Sequence, residues 1–172
     1  MKRLIAITLA ALALAMIFVS CNKDGDKNTG IGFWTVESND ATHSGNASLL
    51  HAWYCYDDVG GYSVLFLPKD DKEHWMDYNY AYVDMAESKV GEKHNLSDDL
   101  ADDWDFWAGT KTMHIANKAY SGTVTLKINR EKNNIVFSLN GTNEAGEKVF
   151  IEYAGYASPV QERPYPPYPF VE

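Results

Sequence analysis

The chain has 172 residues, 45% of them hydrophobic and 13% aromatic, and its 24 acidic residues against 15 basic ones give a net charge of −9. A domain of this size buries roughly 68–70% of its extended surface, so one core is sufficient. The acidic balance repels phosphate backbones and anionic lipid, which argues against nucleic acid as a partner and against membrane binding through a basic face.

The chain opens with Met1 to Lys23. Lys2 and Arg3 form a positive n-region, Leu4 to Val19 is an apolar run broken only by Thr8, and Ser20 precedes Cys21. The run is shorter than the ~18 apolar residues that suggest a membrane-spanning helix, and its flanks are those of a secretory h-region. Phe18-Val19-Ser20-Cys21 resembles a lipobox. The resemblance implies cleavage before Cys21, a thioether-linked diacylglycerol on its sulfur and an acylated new N-terminus; the alternative is an ordinary signal peptide with a chance cysteine. Removing residues 1–20 takes away Lys2 and Arg3 and leaves 152 residues, with 13 basic and 24 acidic, or −11. Lipid then replaces charge as the membrane attachment, since two or more acyl chains anchor stably where one does not. The expected location is the outer membrane, facing either the cell surface or the periplasm. With Cys21 consumed, Cys55 is the remaining thiol and no intramolecular disulfide can form. Lying in an aromatic, strand-like run, Cys55 reads as a small buried hydrophobe rather than a nucleophile.

Residues 21–30 are polar and without periodicity, as in a flexible tether. Asp24, Asp26 and Asn28 mimic the start of a calcium loop, but Thr29 stands where such a loop needs Gly and Thr35 where it needs Glu, so an EF-hand is rejected. The lysine-acidic stretch also resembles the surface-export signal of lipoproteins from certain Gram-negative gut anaerobes; otherwise it is a solvated tether.

From Ala47 the pattern is β. Ala47 to Tyr56 and Tyr62 to Leu67 read as a hairpin around the turn residues Asp57 to Gly61. After a polar connection, Trp75 to Met85 alternates as one strand, with Met76, Tyr78, Tyr80 and Tyr82 on one face and Trp75, Asp77, Asn79, Ala81 and Val83 on the other. Ser97 followed by Asp98 and Asp99 suits a helix N-cap with acids in the first turn, and Leu100 and Trp104 are one turn apart, so a short helix or turn covering an open end of the fold is expected. Tyr120–Asn129, Asn134–Asn140 and Lys148–Tyr156, joined by short polar loops, read as a three-stranded meander. Its core face comprises Val124, Leu126, Ile128, Ile135, Phe137, Leu139, Val149, Ile151 and Tyr153, with the other face solvated. Residues 159–172 change character, because the prolines of Pro164-Tyr165-Pro166-Pro167-Tyr168-Pro169 donate no ladder hydrogen bonds. This tail is either disordered or laid across the domain, or it is a docking peptide for an envelope partner.

Val90-Gly91-Glu92-Lys93-His94-Asn95-Leu96-Ser97, the aromatic run Trp104 to Trp107, Tyr120 to Leu126 and the paired closing strands resemble small surface lipoproteins of gut Gram-negative anaerobes. The resemblance implies a β-sandwich or calycin-like barrel and a surface location, and it carries no catalytic fingerprint. The expected fold is all-β over residues 31–158: an antiparallel β-sandwich or flattened β-barrel with a C-terminal three-stranded meander and at most one short helix.

Enzyme signatures fail in turn: there is no G-x-S-x-G, no phosphate-cradling glycine loop, no H-E-x-x-H and no C-x-x-C. No cofactor is expected. His51 and Cys55 lie about 13 Å apart along a strand, too far to share a metal. Asp98, Asp99, Asp102, Asp103 and Asp105 form the densest carboxylate group. They read as a solvated acidic helix face, with calcium binding or a carboxylate pair for glycoside hydrolysis as the alternatives. Five Trp and eleven Tyr are the more informative signal, since flat amphipathic rings offer apolar faces to sugar C–H groups. Tyr78, Tyr80 and Tyr82, with Trp104 and Trp107, are therefore the candidate ligand-binding residues. On one strand face the three tyrosines would span about 13 Å, unless that face is the buried one. The functional expectation is a non-enzymatic, anchored binding protein with glycans as first ligand, followed by an envelope assembly subunit using the tail and then by a carboxylate hydrolase.

Overall fold

The computed structural model describes residues 29–37, 45–56, 60–96, 104–110, 113–116 and 120–164. Among these residues twelve strands run in chain order: β1 (Gly30–Glu37), β2 (Gly45–Leu49), β3 (His51–Tyr56), β4 (Gly61–Leu67), β5 (Tyr80–Ala86), β6 (Lys93–Asn95), β7 (Trp104–Thr110), β8 (Met113–Ala116), β9 (Tyr120–Asn129), β10 (Asn134–Asn143), β11 (Lys148–Tyr156) and β12 (Ser158–Pro159). They form two six-stranded sheets, sheet A ordered β2-β1-β11-β10-β9-β6 and sheet B ordered β12-β3-β4-β5-β7-β8. The pairings are antiparallel except for the parallel contact of β12 with β3. Among the described residues the helical pieces are two 3-10 segments, Lys72–Asp77 and Glu87–Lys89. The protein is an all-β sandwich.

Single residues carry the chain from one sheet to the other. Leu50 separates β2 from β3, and Ala157 separates β11 from β12. At the first corner Leu50 donates its N–H to the Leu67 carbonyl at 2.9 Å and accepts from Gly30 N–H at 2.8 Å, so the corner bonds to both sheets. Such corners fold a sandwich toward a flattened barrel.

Alternation fills the space between the sheets. Trp34 and Val36 of β1, Val64 and Phe66 of β4, Val83 and Met85 of β5, Leu126, Phe137 and Tyr153 are all buried there. Phe66 is the bridge, stacked on Phe137 at 5.3 Å and tilted against Tyr153 at 5.0 Å. The expected meander is present as adjacent β9, β10 and β11, and its predicted inward residues are buried, Ile128 partly. One buried polar atom among the described residues, the Trp34 indole N–H, has no partner; such a group costs about 1–3 kcal/mol.

Three expectations change. First, β1 precedes the β pattern read from Ala47, and it is an interior strand of sheet A. Its inward positions 30 and 32 are glycines because Tyr153 and the β11 backbone occupy the space: a Cβ at Gly30 would lie 2.3 Å from Tyr153 Cζ, and one at Gly32 2.3 Å from the Glu152 carbonyl oxygen. Secondly, Trp75–Met85 is not one strand, because Lys72–Asp77 coils into a 3-10 segment and β5 begins at Tyr80. The coil turns Trp75 inward, edge-on to Tyr80 at 4.8 Å. Thirdly, the tyrosine face, read as a ligand platform unless buried, is the buried one and forms the outer side of sheet B. Trp53, Leu65, Leu67, Tyr80 and Tyr82 form a second apolar cluster there with Trp75, against which Tyr78 and Val160 pack.

The start of the Pro-rich tail belongs to this second layer. Pro159 pairs with Tyr54, Val160 N–H donates to the Tyr54 carbonyl at 2.9 Å, Arg163 approaches Asp84 at 3.8 Å, and Pro164 is buried. Residues 97–103, where a short helix or turn was expected, lie outside the described residues, and Trp104 opens β7.

Candidate functional site

The tyrosines proposed as a platform do not share one. Tyr80 and Tyr82 are 2% and 3% exposed, and Trp75 closes over them. Burial pushes the Tyr80 phenol well above its ordinary pKa. Tyr82 and Ser63 both donate hydroxyl hydrogen bonds to Asp84 Oδ1. Tyr78 is half-buried at the edge of that cluster, donating to Asp71 Oδ2 at 2.7 Å with the Lys69 ammonium 5.3 Å from its ring centroid. Trp104 is buried in the inter-sheet core, stacked on Phe106 at 5.4 Å. Trp107 lies on β7 in register with Tyr82. Cys21, Asp98, Asp99, Asp102 and Asp103 lie outside the described residues. Cys55 is buried and forms no disulfide among the described residues.

The surface cluster at Tyr78 is a structural clasp. Asp71 accepts from Tyr78 and bonds His74 Nδ1 at 2.9 Å, closing the 3-10 segment onto the preceding turn. Those two hydrogen bonds hold the Asp71 carboxyl below the usual carboxylate range, and Asp71 in turn raises His74 and Tyr78. The cluster supplies a base and an orienting acid, but its hydroxyl, that of Tyr78, is already bonded to the acid rather than to the base. Among the described residues, no three His, Cys, Asp or Glu side chains are placed to hold a metal ion.

Exposed apolar surface lies instead on the outer face of sheet A. Outward positions on a solvated antiparallel sheet are ordinarily polar, yet β1 presents Ile31 at 51% exposure and Phe33 at 37%. Phe33 meets the ring of Phe150, from β11, at a centroid separation of 5.5 Å and a tilt of 36°. Register sets their surroundings. Phe33, Glu152, Ser138 and Thr125 lie opposite one another across β1, β11, β10 and β9, and the next row is Thr35, Phe150, Asn140 and Thr123. The row on the other side is Ile31, Ala154, Val136 and Lys127. Across such rows the strands are about 4.7–4.9 Å apart. The close approach permitted by Gly32 brings Phe33 beside Glu152, whose carboxyl is raised by burial.

This face offers two apolar rings, one desolvated carboxylate and a field of hydroxyl and amide groups. By contrast the exposed Tyr56 is fully engaged: its hydroxyl donates to Glu87 Oε2 at 2.8 Å, and the Arg130 guanidinium lies 5.6 Å from its ring centroid. The sequence signal for the face was the apolar content on both faces of two strands: Phe33-Trp34 in β1 and Val149-Phe150-Ile151 in β11. One of each neighbouring pair must point outward. No protein-family model matches the chain, and no curated protein or solved structure matches it.

Proposed function

We propose that this protein is a lipid-anchored envelope protein that binds saccharide, without catalysis, through the outer face of sheet A. The observation that carries the reading is the Phe33–Phe150 pair, Phe33 exposed and Phe150 partly so, beside Glu152, on a face whose neighbouring outward positions are Ser138, Thr35, Asn140 and Thr125. Aromatic faces cover sugar C–H groups, while short polar side chains and a carboxylate meet sugar hydroxyls. The face is open, which suits an extended polymer better than a small metabolite that needs enclosure. The location in the outer membrane rests on the signal and lipobox ending at Cys21.

Two measurements test the two halves of this reading. The purified full chain, kept in mild detergent, should bind members of a polysaccharide array; a folded protein that binds none of them contradicts the saccharide half. Cys21→Ser should abolish fatty-acid labelling and release the protein from membranes, and membrane retention of the folded variant would show the lipobox to be misread.

A further inference from the structure

Glu152 is the unusual group on this face. It is only partly exposed, and among the described residues no donor or cation reaches its carboxylate. Its cross-strand neighbours are Phe33 and Ser138, and the residues diagonal to it are Ile31, Thr35, Val136 and Asn140, none of them charged. Cations are present on the same face but committed or distant. Lys148 pairs with Glu37 at 3.8 Å, and Lys127 stands opposite Val136, two strands from β11. A half-buried carboxylate with no partner costs stability, because desolvation is not repaid by hydrogen bonds. Sheet packing does not require it, since an apolar or hydroxyl side chain would satisfy the same position.

Building on the saccharide reading above, we propose that Glu152 is the polar anchor of the site and selects an uncharged, polyhydroxylated sugar. The carboxylate accepts hydrogen bonds from two neighbouring hydroxyls while Phe33 and Phe150 cover the C–H face. Two ligand classes fit less well. Sulfated and uronic glycans meet both Glu152 and a protein whose acidic residues outnumber its basic ones by 24 to 15. An ammonium ligand favours a cage of rings, whereas here the rings lie to one side and hydroxyl and amide groups continue from Ser138 to Asn140 and Thr125.

Burial raises the Glu152 carboxyl, so the folded chain binds its proton more tightly than the unfolded chain. The sign follows: stability falls as pH rises through the interval from the unfolded to the folded pKa, and the charged group lowers stability above it. Glu152→Gln removes that charge at nearly constant shape. It should melt at a higher temperature than wild type at pH 7, with the difference shrinking as pH falls through the raised pKa.

The test is an array of neutral, amino-bearing, uronic and sulfated polysaccharides probed with the full chain as wild type, Glu152→Gln and Phe33→Ala. Wild type is expected to bind neutral glycans above the other classes. Glu152→Gln, though more stable, should bind them roughly tenfold to a hundredfold more weakly, the range for losing hydrogen bonds to a charged acceptor. Unchanged neutral-glycan affinity in Glu152→Gln, or a wild-type preference for amino-bearing or anionic glycans, overturns the selectivity while leaving the saccharide reading intact. Absence of wild-type binding to any glycan, or unchanged binding by Phe33→Ala, overturns the site and the selectivity together.

Discussion

Phe66→Ala should destabilise the domain by about 3–5 kcal/mol, the range for removing a large aromatic side chain from a packed core. Phe66 is fully buried on β4 and joins the sheets by contacting two rings of sheet A, Phe137 and Tyr153. Each of those contacts crosses the sandwich, so a cavity there cannot be closed by moving one strand within its own sheet. Because close-packed interiors relax only partly, the loss includes a cavity contribution as well as lost burial. Total stability is of order 5–15 kcal/mol, so the variant will be marginal. Urea unfolding should show a lower midpoint at an unchanged slope. A loss below about 1 kcal/mol would mean that the two sheets are not held together through this residue.

Replacing the two rings on the outer face of sheet A should have the opposite profile. Phe33→Ala with Phe150→Ala is expected to weaken saccharide binding about a thousandfold, taking about 2 kcal/mol for each ring that anchors a ligand. The cost to folding should be small, about 1–2 kcal/mol, because Phe33 is 37% exposed and the pair contributes chiefly its own ring contact. The comparison of this variant with Phe66→Ala separates the face from the core. Isothermal titration checks the first effect and a melting curve the second. Retained affinity in a folded double variant would remove these rings from the site.

Much of the fold could be read from residue pattern alone. The meander was legible because β9, β10 and β11 alternate β-branched and aromatic residues with polar ones and are joined by short polar turns, so that Val124 through Tyr153 sort onto one face. β1 was not, because Gly30 and Gly32 occupy its inward positions to make room for Tyr153, and glycines weaken the alternation that marks a strand. The segment from Trp75 to Asn79 misled for the converse reason: its alternation of aromatic and polar residues mimics a strand, while the chain coils there so that Trp75 can close over Tyr80. That coil also explains the tyrosines. Alternation placed Tyr80 and Tyr82 on one face correctly, but which face of a strand is solvated depends on what packs against it, and Trp75 and Val160 arrive from elsewhere in the chain. β4 carried a hint of this, since it is buried from Gly61 to Leu67 without interruption, as a strand covered on both sides must be.

The same competition between faces concealed Phe33 and Phe150. Each sits next to a core residue, Trp34 and Ile151 respectively, so a reading that assigns apolar residues inward absorbs them into the core. Only register shows that they meet on the outside and flank Glu152.

Amide chemical-shift mapping of the full chain, titrated with the neutral polysaccharide it binds best, tests the central claim most directly. Binding through the outer face of sheet A predicts perturbations concentrated at residues 31–35 of β1, 148–154 of β11 and 136–140 of β10, with little change in β3, β4 and β5. Perturbations centred on the outer face of sheet B, around Trp53, Tyr78 and Tyr82, would contradict it.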